Sequence, residues 1–347
     1  MARTVKHFTL HRIDATELRV IAEVEVGVLG MVEAEEQVIR GYIEQGMWPH
    51  RCVTLFIMEN LEPLVRQLRS VADLPPGGAE ALAQRAVVNV YDLTNPQACQ
   101  IFADQQTLLR EGYWDDPLSV RALLAHEHAH PLAEGPTTRE SRRMELKLSF
   151  VGLEPILPGG HEAGSRRNDI RKVIVGLADK LCVDGPREVL ANEVAIRAGF
   201  GDALLHLNRR NVANARSSLT GRGDVRKHLR QQVDQGSLTQ AGADLLLVIG
   251  DLQAYLDLSI ETAAFYRATR KSDARKLETV LETEVFPNLE PEVAPTYVAL
   301  REHYLALRPD MSESEVAAWG EATLKILADA LGKKGLKMRY HVRMPRT

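Results

Sequence analysis

Five consecutive residues, His126-Glu127-His128-Ala129-His130, place two metal-ligand side chains and a carboxylate at a spacing suited to hydrolytic chemistry. They satisfy the pattern H-E-x-x-H. Residues i and i+4 of a helix lie on one face about 6 Å apart, so His126 and His130 can both reach one ion. Glu127 then points toward a zinc-activated water. The pattern predicts a zinc ion held by His126 and His130, with Glu127 as the general base.

Two other interpretations of this segment have to be compared with the zinc site. His128 lies about 200° around the helix from His126, so it cannot share the ion. We expect it at the surface or supporting a ligand. The alternative for the whole motif is an exposed polar turn without metal.

The residues around the motif predict a helix that carries it. Asp115-Asp116-Pro117 combines an acidic N-cap with proline at the first helical position. Pro131 has no backbone N–H, so it should end or kink this helix.

A catalytic zinc ion normally has three protein ligands, and the motif supplies two. On an unbroken helix Glu134 would lie about 9 Å beyond the midpoint of the two histidines. A carboxylate oxygen must come within about 2.0–2.2 Å of zinc, so Glu134 is a poor third ligand. A glutamate from a separate helix is the better candidate.

A second segment, REVLANEVAIRAGF, contains Asn192-Glu193. Together with the first motif it resembles the gluzincins of the zincin metallopeptidase clan, over roughly residues 85–210. The resemblance implies that His126, His130 and Glu193 bind Zn²⁺. The metzincin pattern is excluded, because Ala133 and Pro136 stand where it needs Gly and His.

The second motif, residues 192–197, departs from the family in one respect. Related families often place Asp four residues after the ligand Glu, and this position is Arg197. The alternative for Glu193 is an ion pair with Arg197 at i+4. No single residue can be chosen to stabilise the oxyanion. The side chains with suitable chemistry are His161, His206, Arg197 and Tyr113.

Hydrophobic periodicity predicts an α/β (α+β) region over residues 1–215 and a mainly helical C-terminal region over 216–347. The resemblance implies that the first of these is a zincin-like catalytic core. Residues 98–109 fit a strand or a helix, and the Gly- and Pro-rich residues 152–168 indicate a loop. The other predicted elements are strands at 5–13, 20–28, 52–58, 87–91 and 336–344, and helices at 31–45, 61–71, 169–181 and 186–214.

Composition limits the compartment and the partners. The chain has 347 residues, a formal net charge of -4 and three scattered cysteines. It shows no signal peptide and no membrane-length apolar run, which predicts a cytoplasmic protein without a membrane partner. Residues 209–230 carry seven Lys or Arg, but no aromatic residues are interleaved. A solvated helix face explains this run as well as nucleic acid does.

These observations predict a zinc-dependent hydrolase, a metallopeptidase that cleaves peptide or protein substrates. One alternative is a non-catalytic zincin-like regulatory or interaction module that binds a partner through the helical C-terminal region. Another is a non-hydrolytic enzyme with the same metal.

Overall fold

The computed structural model describes residues 4–69, 85–157 and 161–345. It divides into two compact units. The first contains residues 1–132 and 194–207, and the second contains residues 133–193 and 208–347. Neither unit ends at the predicted boundary between residues 215 and 216.

The first unit is built on a five-stranded mixed sheet with the strand order β1-β2-β3-β5-β4. Strands β2, β3 and β5 are parallel, whereas β1 and β4 are antiparallel edge strands. The elements of this unit are β1 His7–Ile13, β2 Thr16–Ala22, α1 Val28–Glu44, β3 Cys52–Met58, α2 Glu62–Arg69, β4 Val87–Tyr91, β5 Ala98–Asp104, α3 Gln105–Arg110 and α4 Pro117–Leu132.

One face of this sheet forms the core of the first unit. The buried residues of β2, β3 and β5 alternate, as expected when successive side chains point to opposite faces. Helix α1 packs against β1, β2 and α4, and α4 also packs against β4. Each fully buried aliphatic side chain contributes about 1.5–3 kcal/mol. This packing holds α4, which carries the H-E-x-x-H sequence, against α1 and β4.

Most predicted elements of the first unit are confirmed. Strands β3 and β4 have the predicted bounds, and residues 98–109 form a strand followed by a helix. The second strand was placed too late: it begins at Thr16, after a tight turn at Asp14, and ends at Ala22. The predicted extension of this strand to residue 28 is wrong, because Gly27, with φ +81°, precedes α1 and Val28 is the first residue of that helix.

The second unit is mainly helical and has a two-stranded antiparallel sheet, β6 with β7. Its elements, including two helices shared with the first unit, are α5 Pro136–Arg143, β6 Glu145–Val151, α6 Leu153–Ile156, α7 His161–Asp179, α8 Gly185–Ala195, α9 Gly201–Asp234, α10 Gln240–Tyr255, α11 Leu258–Arg267, α12 Lys271–Val280, α13 Val293–Leu305, α14 Glu313–Gly332 and β7 Lys337–Arg343. Short π-helical segments at Lys180–Asp184, Ile196–Phe200 and Leu281–Val285 follow α7, α8 and α12.

The loop predicted for residues 152–168 is wrong over most of its length. Gly152, with φ +107°, starts the short helix α6, and α7 begins at His161. Pro155 is accommodated because the first turn of a helix needs no N–H donor there. The final strand is confirmed as β7, and no helix in the described ranges has the length and apolarity needed to cross a membrane.

Candidate metal centre

Helix α4 begins as predicted, with Asp116 as its cap. The backbone N–H groups of Leu118 and Ser119 donate to Asp116 Oδ1 at 3.2 and 3.3 Å. His206 Nε2 lies 2.7 Å from Asp116 Oδ2. His206 therefore binds the start of this helix, which gives a structural role to one of the residues considered for the oxyanion.

The two predicted histidine ligands lie together on one face of α4. The ring centroids of His126 and His130 are 4.6 Å apart, with the ring planes at 77°. His130 is buried and His126 is half-buried. This is the side-by-side placement that the i, i+4 spacing predicts.

Glu127 is buried and held by the edge strand β4. The backbone N–H of Asn89 donates to Glu127 Oε2 at 3.0 Å. A hydrogen bond to a carboxylate is charge-assisted. The donor here is a backbone N–H of a sheet strand, so its position is fixed. The contact fixes the direction of the carboxylate predicted to act as the base.

A second contact from Asn89 explains how Pro131 fits inside α4. In a regular helix the N–H of residue 131 would donate to the carbonyl of Glu127, but proline has no N–H. Asn89 Nδ2 donates to that carbonyl oxygen at 3.0 Å instead. The helix therefore continues to Leu132, one residue beyond Pro131. Asn89 is a site residue that the sequence analysis missed.

His128 is fully buried, so its predicted surface position is wrong. Its Nε2 lies 2.7 Å from Glu35 Oε1 on helix α1, and its Nδ1 lies 4.0 Å from Cys99 Sγ on β5. Burial alone would lower the pKa of His128, but the Glu35 carboxylate and the neighbouring Cys99 together outweigh it and raise the pKa to about 10. Burial, reinforced by His128, lowers the pKa of His50 to about 4.

The structure places Glu193 in an ion pair within the second unit. Arg267 Nε lies 2.7 Å from Glu193 Oε2, and each side chain is 11% exposed. The same guanidinium donates to the carbonyl oxygen of Tyr304 at 3.2 Å. This contact pairs Glu193 with an arginine 74 residues away, whereas the alternative weighed from the sequence was Arg197 at i+4.

The other carboxylate weighed as a third ligand, Glu134, also has a basic partner. Its Oε1 accepts a hydrogen bond from Arg142. Of the remaining residues considered for the oxyanion, Tyr113 is buried and Arg197 is exposed. The side chain of His161 lies outside the described residues.

The basic run at 209–230 is partly neutralised within the protein. Arg222 forms two contacts with Asp251, at 2.6 and 2.7 Å, and it also contacts Glu290. Arg226 contacts Glu290 as well, and Arg216 pairs with Glu284. Each of these three cations therefore has an acidic partner within the protein, and only the Arg222 side chain among them is largely buried.

No protein-family model, no curated protein and no solved structure matched the chain when each was searched. Any function assigned to the chain therefore depends on the residues of the site.

Proposed function

We propose that the protein is a zinc-dependent hydrolase that cleaves peptide bonds, with Glu127 as the general base. One observation supports this most strongly. His126 and His130 lie side by side on α4, while Glu127 is directed by the backbone of β4. An exposed polar turn, the alternative for this segment, would bury neither His130 nor Glu127.

For the third ligand we propose Glu193 on α8, as the gluzincin resemblance implies. Two imidazoles and one carboxylate are a donor set found in catalytic zinc sites. Arg267, which pairs with Glu193 Oε2, would orient the ligand carboxylate, as residues that contact metal ligands commonly do.

In this proposal each residue has a separate task. Bound zinc would polarise the substrate carbonyl and lower the pKa of a water molecule. Glu127 takes the proton from the attacking water and passes it to the leaving amine. Asn89 holds the Glu127 carboxylate and main chain in place, so that the base needs little reorganisation during the reaction.

Metal analysis combined with digestion of a peptide library tests the proposal. The wild-type protein should bind zinc at this site and cleave peptides. His126→Ala and His130→Ala should each lose the zinc ion of this site and the cleavage. His228→Ala is a matched control on an exposed histidine of α9, outside the ligand set. Zinc binding without cleavage would favour the interaction module, and absence of a zinc site dependent on His126 and His130 would overturn the proposal.

A further inference from the structure

On the opposite side of α4, a second group of possible metal ligands lies inside the first unit. It consists of His50, Cys99 and His128, whose ligand atoms lie within 4.8 Å of one another. The three side chains come from the segment before β3, from β5 and from α4. They are 3%, 3% and 0% exposed, respectively. Two imidazoles and a thiol converge here with almost no exposure to bulk water.

Both imidazoles are oriented as metal-binding histidines are. A metal-bound histidine usually donates its other N–H to a carbonyl or carboxylate, which fixes the tautomer. His50 Nδ1 lies 2.6 Å from the carbonyl oxygen of Pro96, which can only accept. The Nε2–H of His128 points to Glu35 Oε1 at 2.7 Å. These contacts leave His50 Nε2 and His128 Nδ1 as the two possible ligand atoms.

Two buried polar atoms, one in this group and one in the carboxylate that contacts it, have no hydrogen-bond partner. They are His50 Nε2 and Glu35 Oε2. Unsatisfied buried polar atoms are rare and costly, about 1–3 kcal/mol each, and a bound ion is one of their recognised explanations. The ion pair of His128 with Glu35 stabilises α4 against α1 but does not satisfy either atom.

We infer that His50, Cys99 and His128 form a second metal site, for Zn²⁺ or a divalent ion of similar softness. The separation of 4.0 Å between His128 Nδ1 and Cys99 Sγ is close to the ~3.5 Å expected for two ligands of a tetrahedral zinc ion. Thiolate and imidazole ligands together favour zinc over magnesium or calcium. Binding releases the Cys99 thiol proton and any proton on His128 Nδ1 to solvent.

Charge balance and access both suit such an ion. A divalent cation, the Cys99 thiolate and the Glu35 carboxylate sum to zero, which avoids an uncompensated buried charge. A cavity of about 300 Å³ is lined by Trp48 and His50, and it offers a path for the ion. The bound ion would tie α4 to β5 and to the segment before β3, so its role is to position the helix that carries His126 and His130.

Cobalt titration of the full chain, after metal removal, tests this site independently of the catalytic proposal. Thiolate-bound Co²⁺ gives a ligand-to-metal charge-transfer band, and a site without cysteine does not. We expect the band in the wild type and in His126→Ala/His130→Ala, and we expect its loss in Cys99→Ser. The double variant Cys52→Ser/Cys182→Ser keeps Cys99 as the single cysteine and should retain the band.

The outcomes separate the two sites. Cobalt binding without a charge-transfer band in the wild type would overturn the second site and leave the first intact. A band that persists in Cys99→Ser would also overturn it. Loss of the band in Cys52→Ser/Cys182→Ser, with the fold retained by circular dichroism, would assign the thiolate to another cysteine. A charge-transfer band in the wild type, together with an amount of bound cobalt that is the same in His126→Ala/His130→Ala, would support the second site and overturn the first.

Discussion

At the scale of single residues, the sequence predicts the side-by-side placement of the two histidines but not the arginine that pairs with Glu193. The i, i+4 spacing alone places His126 beside His130, because helix geometry is local. Arg267, which pairs with Glu193, is 74 residues away, and no local pattern predicts this contact.

Substitution of the two glutamates of α8 tests the third ligand. Glu193→Gln should weaken zinc binding at the His126–His130 site by more than the ~10–100-fold typical of losing an outer-shell partner. It should also destabilise the protein by about 3–5 kcal/mol, because Arg267 loses a buried partner. Glu188→Gln should retain the zinc and serves as the control.

A zinc titration and a urea unfolding curve of each variant measure these two effects. Both variants also carry Cys99→Ser, so that the titration measures zinc binding at the His126–His130 site alone. Weak zinc binding in Glu188→Gln together with normal binding in Glu193→Gln would contradict the assignment of Glu193 as the ligand.

At the scale of secondary-structure elements, Pro131 shows what sequence patterns miss. Proline predicts the end of a helix, and α4 does end one residue later. The pattern could not show that a side chain from β4 replaces the missing N–H, since Asn89 lies 42 positions before Pro131 in the sequence. Whether proline ends a helix at once therefore depends on contacts with other elements as well as on the local sequence.

A double-mutant cycle tests this replacement. Asn89→Ala leaves the Glu127 carbonyl buried without a donor and should cost about 1–3 kcal/mol of unfolding free energy. In the Pro131→Ala background the N–H of residue 131 can donate to that carbonyl, so Asn89→Ala should cost less. Urea unfolding of the four proteins gives the coupling, and equal costs in both backgrounds would contradict the replacement.

The helices α9 and α10 offer a second test between elements. Arg222 and Asp251 are 10% and 5% exposed, so Arg222→Ala leaves a buried carboxylate and should cost about 3–5 kcal/mol. Arg216→Ala, which breaks an exposed pair with Glu284, should cost about 0–1 kcal/mol and serves as the control. Chemical denaturation measures both, and similar costs would show that Arg222 is not a buried packing residue.

At the scale of the whole molecule, the mixed α/β composition and the helical C-terminal part could be predicted, but the division into units could not. Strand β6 pairs with β7 along its full length, Glu145 opposite Arg343 and Val151 opposite Lys337. This pairing joins residues separated by nearly 200 positions. The pairing places β6, from the middle of the chain, in the second unit together with the C-terminal strand. No change of composition along the sequence predicts this.

Metal binding should appear in the stability of the whole protein. An ion that binds only the folded chain stabilises it by about 2.7 kcal/mol at ~100 times its Kd. Added zinc should therefore raise Tm, and less so in His126→Ala/His130→Ala. Because the ligands must be deprotonated, the gain should shrink as the pH falls from about 8 to about 6. Differential scanning calorimetry measures it, and a Tm that ignores zinc would contradict metal binding to the folded state.

The most direct test of the central claim is the rate of peptide hydrolysis by Glu127→Gln compared with the wild type, both loaded with zinc. The substitution removes the base and retains the side-chain size and both histidines. The rate should fall by about 10²–10⁴-fold, with unchanged zinc content, because proton transfer to the base is lost. A Glu127→Gln protein that hydrolyses peptides at the wild-type rate would contradict the assignment of Glu127 as the base.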